Sequence, residues 1–217
     1  MKLTGIYLYP DLVEYRSDAA LAFRNQTRFL CNYVQRHLAA RKLHAEGFNR
    51  ICVVCKSAPA ELTYKNTSNA LTAEVQFDIA EYATVADERL PEYFIGLLEA
   101  GIAKCSKDQH VPAEYFHDAI QSFRAEHYRN EWVFLEKTFR AEGVKCRLKC
   151  KLDRSYFRLT LEIDRRGHII FSQEILRTLP DEVMYAHRFK DIKLDGETLV
   201  VQDKFGNALA TVPIRRG

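Results

Sequence analysis

The sequence predicts an α+β fold, with three main helices followed by an antiparallel β-meander in the C-terminal third. Three observations predict it. Val144, Cys146, Leu148, Cys150 and Leu152 alternate with Lys145, Arg147, Lys149 and Lys151, and a strict period of two makes a strand with one buried and one wet face. Phe157, Leu159, Leu161 and Ile163 repeat that period after a short polar gap. The segments with helical spacing fall in the first two-thirds of the chain and strands crowd the last third, which is not a regular βαβ repeat.

Taken in order, residues 3–9 read as a first strand. Ser17 or Asp18 caps a long helix reaching about Ala45, with Phe23, Leu30, Val34 and Leu38 on its apolar line and Gly47 as its stop. The run from Phe48 to Lys56 is apolar on both faces and reads as a central strand. Residues 57–69, rich in Ser, Asn, Thr and Ala, read as a loop. Leu71, Ala73, Val75, Phe77 and Ile79 alternate with polar residues as a one-sided strand. Asp87 opens a second helix with Pro91 in its first turn, ending near Ser106. Pro112 opens a third helix, whose buried line runs through Phe116, Ile120, Phe123, His127, Trp132, Leu135 and Phe139 to Gly143, with Asn130 as a weak point. Residues 180–188 read as a loop or one helical turn, and Asp195-Gly196 joins Ile192–Leu194 to Thr198–Val201. One domain over residues 1–217, or two packed lobes divided near residue 143, both fit.

The register of the meander follows from burial. A four-residue loop, Asp153-Arg154-Ser155-Tyr156, sets Leu152 opposite Phe157, Cys150 opposite Leu159, Leu148 opposite Leu161 and Cys146 opposite Ile163. A one-residue slip would put lysines against leucines. On the wet face Lys145 then meets Asp164 and Arg147 meets Glu162, while Lys149 and Lys151 meet Thr160 and Arg158. The turn Arg165-Arg166-Gly167 is read as a three-residue loop setting Ile163 against Ile169, Leu161 against Phe171 and Asp164 against His168.

The 217 residues carry a formal net charge of +3 and are 47% apolar, as expected of a globular protein. No apolar run approaches the roughly 18 residues that span a bilayer, and Met1–Asp11 lacks the pattern of a secretory signal. The expected setting is cytoplasmic, away from membranes. The six cysteines are then expected as free packing thiols. Cys52 and Cys55 have metal-like spacing, but in a strand they point to opposite faces, and no second pair completes a site. Cys146 and Cys150 lie about 13 Å apart along an extended strand, too far for a disulfide.

No Gly-rich phosphate loop or nucleophile elbow is present, and the histidines do not converge. His37 and His44 are two helical turns apart, and His127 falls on an apolar line. No catalytic residue, cofactor or metal ligand is assigned, and the chain is expected not to be an enzyme. If it were one, its site would be assembled from scattered residues such as Asp11, Glu14 and His187. The strongest polar feature is the basic stripe on Val144–Leu152. Its like-charged end, Lys149, Lys151, Arg154 and Arg158, is the candidate partner-binding surface. The plainer alternative is a solvated sheet face. No stacking aromatic interleaves the stripe, so nucleic acid is the less expected partner.

The run Leu90-Pro-Glu-Tyr-Phe-Ile-Gly-Leu-Leu-Glu-Ala-Gly-Ile102, then Arg129-Asn-Glu-Trp-Val133, then the alternating Lys/Cys strand, resembles bacterial immunity proteins over residues 88–164. These are encoded beside polymorphic or contact-delivered toxins. The resemblance implies a non-catalytic domain that binds a cognate toxin domain and occludes it stoichiometrically, and it transfers no individual functional residue. A basic stripe on a near-neutral chain would suit an acidic or neutral target better than a basic nuclease. The alternative is an RNA- or phosphate-binding accessory protein using Lys145, Arg147, Lys149, Lys151, Arg154 and Arg158.

Overall fold

The structure, a computed structural model, describes residues 1–214. It is α+β with antiparallel sheets at the C-terminal end, and the chain divides into two compact units between Asn130 and Glu131. This boundary precedes the lobe division expected near 143.

The first unit begins with strand β1 (Gly5–Pro10), helix α1 (Asp18–Gln26) and helix α2 (Arg28–Arg41). Ser17 caps α1 by accepting from Ala20 N–H at 3.3 Å. The single long helix expected here is instead two, broken at Thr27. The Thr27 hydroxyl donates to Leu8 O at 2.7 Å and is also within 3.1 Å of Arg24 O, which ties the break to β1. The second helix ends at Lys42, left-handed at φ 51°, ahead of the expected stop at Gly47.

Strand β2 (Arg50–Lys56) is central, as its two-sided apolar pattern required: it pairs in parallel with β1 and with β4 (Ala70–Gln76). Between them the expected loop contains a two-residue strand, β3 (Tyr64–Lys65), antiparallel to β4. The fourth strand is not one-sided, because Thr72 and Glu74 are also buried. Ile79 lies beyond it, opening the short helix α3 (Ile79–Tyr82).

A 3₁₀ turn at Asp87–Arg89 leads into α4 (Leu90–Gln109) with Pro91 in its first turn, followed by α5 (Ala113–Ala125). Gly101 lets α4 approach β2 closely, since a Cβ there would overlap the Val53 methyls. Phe23 meets Phe77, Tyr82 and Phe94 edge-on, and Phe123 packs with Phe29 and Tyr33.

The third helix stops well short of Gly143. His127 and Tyr128 both have positive φ, 55° and 57°, and His127 is exposed rather than on a buried line. Asn130 is buried at the end of this unit. Its amide donates to Phe29 O at 2.8 Å and Asn32 Oδ1 at 3.1 Å, and its carbonyl accepts from Arg36 Nη2 at 2.6 Å. The expected weak point is therefore a fixed anchor after the helix has ended.

The second unit opens with β5 (Glu131–Phe139), where a helix was expected. A bulge between Val133 and Leu135 explains the misleading spacing. Trp132 and Leu135 both align with inward residues of the next strand, three apart because Phe134 is the extra residue. That step imitates helical periodicity.

Strands β6 (Val144–Leu152), β7 (Phe157–Arg165) and β8 (His168–Thr178) complete a sheet in the order β5-β6-β7-β8. The β6–β7 register matches the expected one at every pair from Leu152 opposite Phe157 to Lys145 opposite Asp164. The β7–β8 turn differs. It has two residues, Arg166 and Gly167 at φ 54° and 85°, so Arg165 rather than Asp164 lies opposite His168. Two consecutive positive φ values suit the twist of a tight hairpin. The register shift at Ile170 puts Phe171 opposite Ile163 and Gln173 opposite Leu161, Ile169 and Ile170 are exposed, and a second shift follows at Ile175.

A helical turn, α6 (Glu182–Tyr185), is capped by Asp181 accepting from Val183 N–H at 3.0 Å. A second meander follows: β9 (Asp191–Asp195), β10 (Thr198–Gln202) and β11 (Ala208–Pro213). Tyr185 and Phe189 stack on Phe157, with ring centroids 3.7 and 5.6 Å away, sealing the inner face of the larger sheet.

Candidate functional site

The outer face of the β5–β8 sheet holds the residues expected to bind a partner. Because β5 pairs with β6, the basic stripe meets carboxylates that a helix there would have placed elsewhere. Glu136 accepts from Lys145 at 2.7 Å and from Arg147 at 2.8 Å. Lys149 reaches Glu162 at 3.0 Å and Lys151 reaches Glu131 at 2.9 Å. Hydrogen bonds from Lys145 and then Arg147 hold the Glu136 carboxyl below its usual range. Each basic residue of β6 thus has an acidic neighbour, and the face is a ladder of alternating sign.

Lys149 and Lys151 share a shallow depression of about 340 Å³ with Glu131, Val133, Thr160 and Glu162. Arg158 lies towards the β6–β7 turn, bridging Asp153 at 3.1 Å and approaching Glu174 at 3.9 Å. Arg177 pairs with the same Glu174 at 3.0 Å, and both arginines lie against the Tyr156 ring. Arg154 is in the turn itself, whose backbone is held by Asp153 accepting from Ser155 and Tyr156 N–H. The four expected residues therefore lie on one face and its turn, and Lys149, Lys151 and Arg158 are engaged by carboxylates of the same sheet.

The opposite end of the sheet was not singled out by the sequence as a site. Here the β5–β6 and β7–β8 turns flank a groove of about 530 Å³ lined by Arg140, Glu142, Arg165, Arg166, His168 and Ile170. Three arginines and a histidine face one carboxylate. Asp164, on the adjoining strand, is occupied by accepting from Gly167 N–H at 2.8 Å. Among the described residues, neither Arg140 nor Arg166 has a carboxylate within 4.0 Å. The sequence signal was there, in Arg165-Arg166 and Arg140. Seeing that the two turns meet required knowing that β5 is a strand.

In the first unit a charged cluster sits at the carboxyl ends of β1, β2 and β4, where ligands bind in many open α/β sheets. Lys56 lies between Asp11 at 3.4 Å and Glu74 at 3.5 Å, and its pKa is raised first by Glu74. Glu74, only 7% exposed, also accepts from Ala60 N–H at 2.8 Å and the Tyr64 hydroxyl at 3.2 Å. Asp11 caps the turn after β1 through Val13 and Glu14 N–H, and Glu14 accepts from Ser57 N–H at 3.0 Å. These acceptors tie the strand ends to the 57–64 loop. Asp11 and Glu14 are thus brought together, whereas His187 belongs to the second unit, beside Phe205.

The six cysteines are unbridged and buried. Burial pushes the Cys105 thiol up to about 12 and the Cys146 thiol to about 11, so both stay protonated at neutral pH. Among the described residues, no group of three or more His, Cys, Asp or Glu side chains is placed to hold a metal ion, and no helix is long and apolar enough to cross a membrane. No protein-family model, curated protein or solved structure matches the chain.

Proposed function

We propose that this chain is a binding protein of the immunity type, which docks a cognate toxin domain and inhibits it by occlusion. The observation that carries this reading is the outer edge of the second unit's larger sheet. Strand β8 is a terminal strand of eleven residues whose Ile169 and Ile170 are 58% and 51% exposed. An edge of this kind is a template for another chain; β8 has no lysine or proline, and its two register shifts leave Phe171–Glu174 as a regular run open to pairing. Its position beside a charge-matched face supports recognition of a folded protein. The six unbridged cysteines support a reducing, cytoplasmic setting for the encounter.

The test is co-expression with the protein encoded by the adjacent gene. A one-to-one complex that abolishes the toxicity of that protein's C-terminal domain is the expected result. Absence of a complex would overturn the reading, and turnover of a small molecule by the purified chain would overturn it in favour of an enzyme.

A second reading, binding of RNA or another phosphate polymer, is favoured by the three arginines at the Arg140–Arg166 groove. It predicts a salt-dependent gel shift lost in Arg140→Glu/Arg166→Glu.

A further inference from the structure

The exposed β8 edge and the arginine groove are contiguous, because His168 and Ile170 belong to both. The register shifts near Ile170 and Ile175 bracket a regular run, Phe171–Glu174. Among the described residues, residues 168–178 make no backbone hydrogen bond beyond those within the sheet. An extended segment laid along Phe171–Glu174 would satisfy the outward groups, and its continuation towards the groove would pass Ile169 and Ile170. Antiparallel addition is the commoner geometry. A segment added that way runs with its C-terminal end towards the start of β8, where Arg140, Arg165, Arg166 and His168 converge.

Arg166 supplies a second, independent argument. It occupies a left-handed position at φ 54° directly before Gly167. Asparagine is the residue best suited to that place in a two-residue hairpin turn. The sequence instead holds an arginine there, with no carboxylate within 4.0 Å among the described residues. Backbone cost accepted at an exposed, unpaired charge is what a recognition residue would show.

We infer that β8 and the Arg140–Arg166 groove form a single docking surface for an extended segment of a partner protein, added antiparallel to β8 with carboxylates at its C-terminal end. Backbone pairing along Phe171–Glu174 supplies the docking, and the carboxylates set direction and register against the arginines. The exposed isoleucines beside the groove favour a protein over a nucleic acid, whose backbone would make no use of them. This inference rests on the binding-protein reading and names the partner's chemistry at that surface.

The probe is a fluorescein-labelled peptide, Thr-Val-Thr-Val-Asp-Glu, titrated by anisotropy against the full chain. Its charge-reversed order, Glu-Asp-Val-Thr-Val-Thr, serves as the direction control. The expected result is saturable binding of the first peptide, at least tenfold weaker for the second. Arg140→Gln/Arg166→Asn should weaken it at least tenfold, although asparagine suits the turn better, so misfolding does not account for the loss. Ile169→Lys/Ile170→Lys should weaken it similarly with an unchanged circular dichroism spectrum.

Equal affinity for both peptides, or none for either, would overturn the proposal. So would polyuridylate binding that is lost in the arginine variant and kept in the isoleucine variant, which makes the groove a nucleic-acid site. Concentration-dependent dimerisation abolished by Ile169→Lys/Ile170→Lys would overturn it in favour of a second copy. If the adjacent-gene complex forms and none of these variants weakens it, this surface fails while the binding-protein reading stands. If neither complex nor peptide binding is found, both fail.

Discussion

The middle of the second unit's larger sheet and its Arg140–Arg166 corner use the same cationic side chains to different ends. Lys145, Arg147, Lys149 and Lys151 each have a carboxylate within 3.0 Å, supplied by the strands on either side. At the corner, Arg140 and Arg166 lie on turns, where no neighbouring strand presents a carboxylate in register. The difference shows that a run of charge in one strand says little about surface potential until the flanking strands are known. Paired charges on an exposed face are worth little individually and are screened by salt, whereas unpaired arginines keep their field available to an incoming anion.

The contrast can be broken most severely from beneath. Leu148 is fully buried under the charged ladder, and Leu148→Ala should cost about 2–5 kcal/mol in urea unfolding. A loss under about 1 kcal/mol would mean that the ladder, rather than the core, holds this sheet. The first unit offers a reference that contains no such ladder. Gly101→Ala drives a methyl into Val53 and should cost roughly 1–3 kcal/mol by overpacking, with no dependence on salt.

The corner should respond in the opposite sense. Arg166→Asn places a residue tolerant of positive φ at 54°, so it should raise thermal stability by part of the roughly 1–3 kcal/mol that such strain costs. A fall in melting temperature would show that Arg166 has a structural partner.

The smallest effect is expected in the ladder's own titration. The Glu136 carboxyl is held below its usual range by Lys145 and Arg147. A depressed folded-state pKa gives stability that is present above the unfolded value and lost as pH falls through the folded one. Glu136→Gln should therefore lower stability slightly at neutral pH, where the ionised carboxyl contributes, and flatten the acid limb of the stability–pH profile, so that the two proteins converge as pH falls through the folded-state midpoint. Carbon-13 chemical shifts of the Glu136 carboxyl test the same point, and a midpoint above the usual range would contradict it.

How much of this was legible in the sequence depended on whether periodicity was interrupted. Val144–Leu152 and its partner Phe157–Ile163 alternate without a break, and their registers were readable residue by residue. Glu131–Phe139 contains a bulge, and its Trp132–Leu135 step passed for helical spacing. That one extra residue hid a strand, and with it Glu131 and Glu136, the partners that neutralise the stripe. The expected surface of Lys149, Lys151, Arg154 and Arg158 followed from counting cations on β6 and its turn without the acids beside them. At the β7–β8 turn, Arg165-Arg166-Gly167 fits either a two- or a three-residue loop, and only the paired strands decide. The first helix is interrupted at Thr27, whose hydroxyl reaches Leu8 O, a tertiary bond that no local pattern announces.

The central claim is that β8, and not the charged ladder on β6, receives the partner. Amide hydrogen exchange with and without the Thr-Val-Thr-Val-Asp-Glu peptide tests it most directly. The account predicts slowed exchange confined to β8, strongest over Phe171–Glu174, with the amides of β6 unchanged. Protection appearing on the β1–β4 sheet or around Lys149 and Lys151, with β8 exchanging as in the free protein, would contradict it.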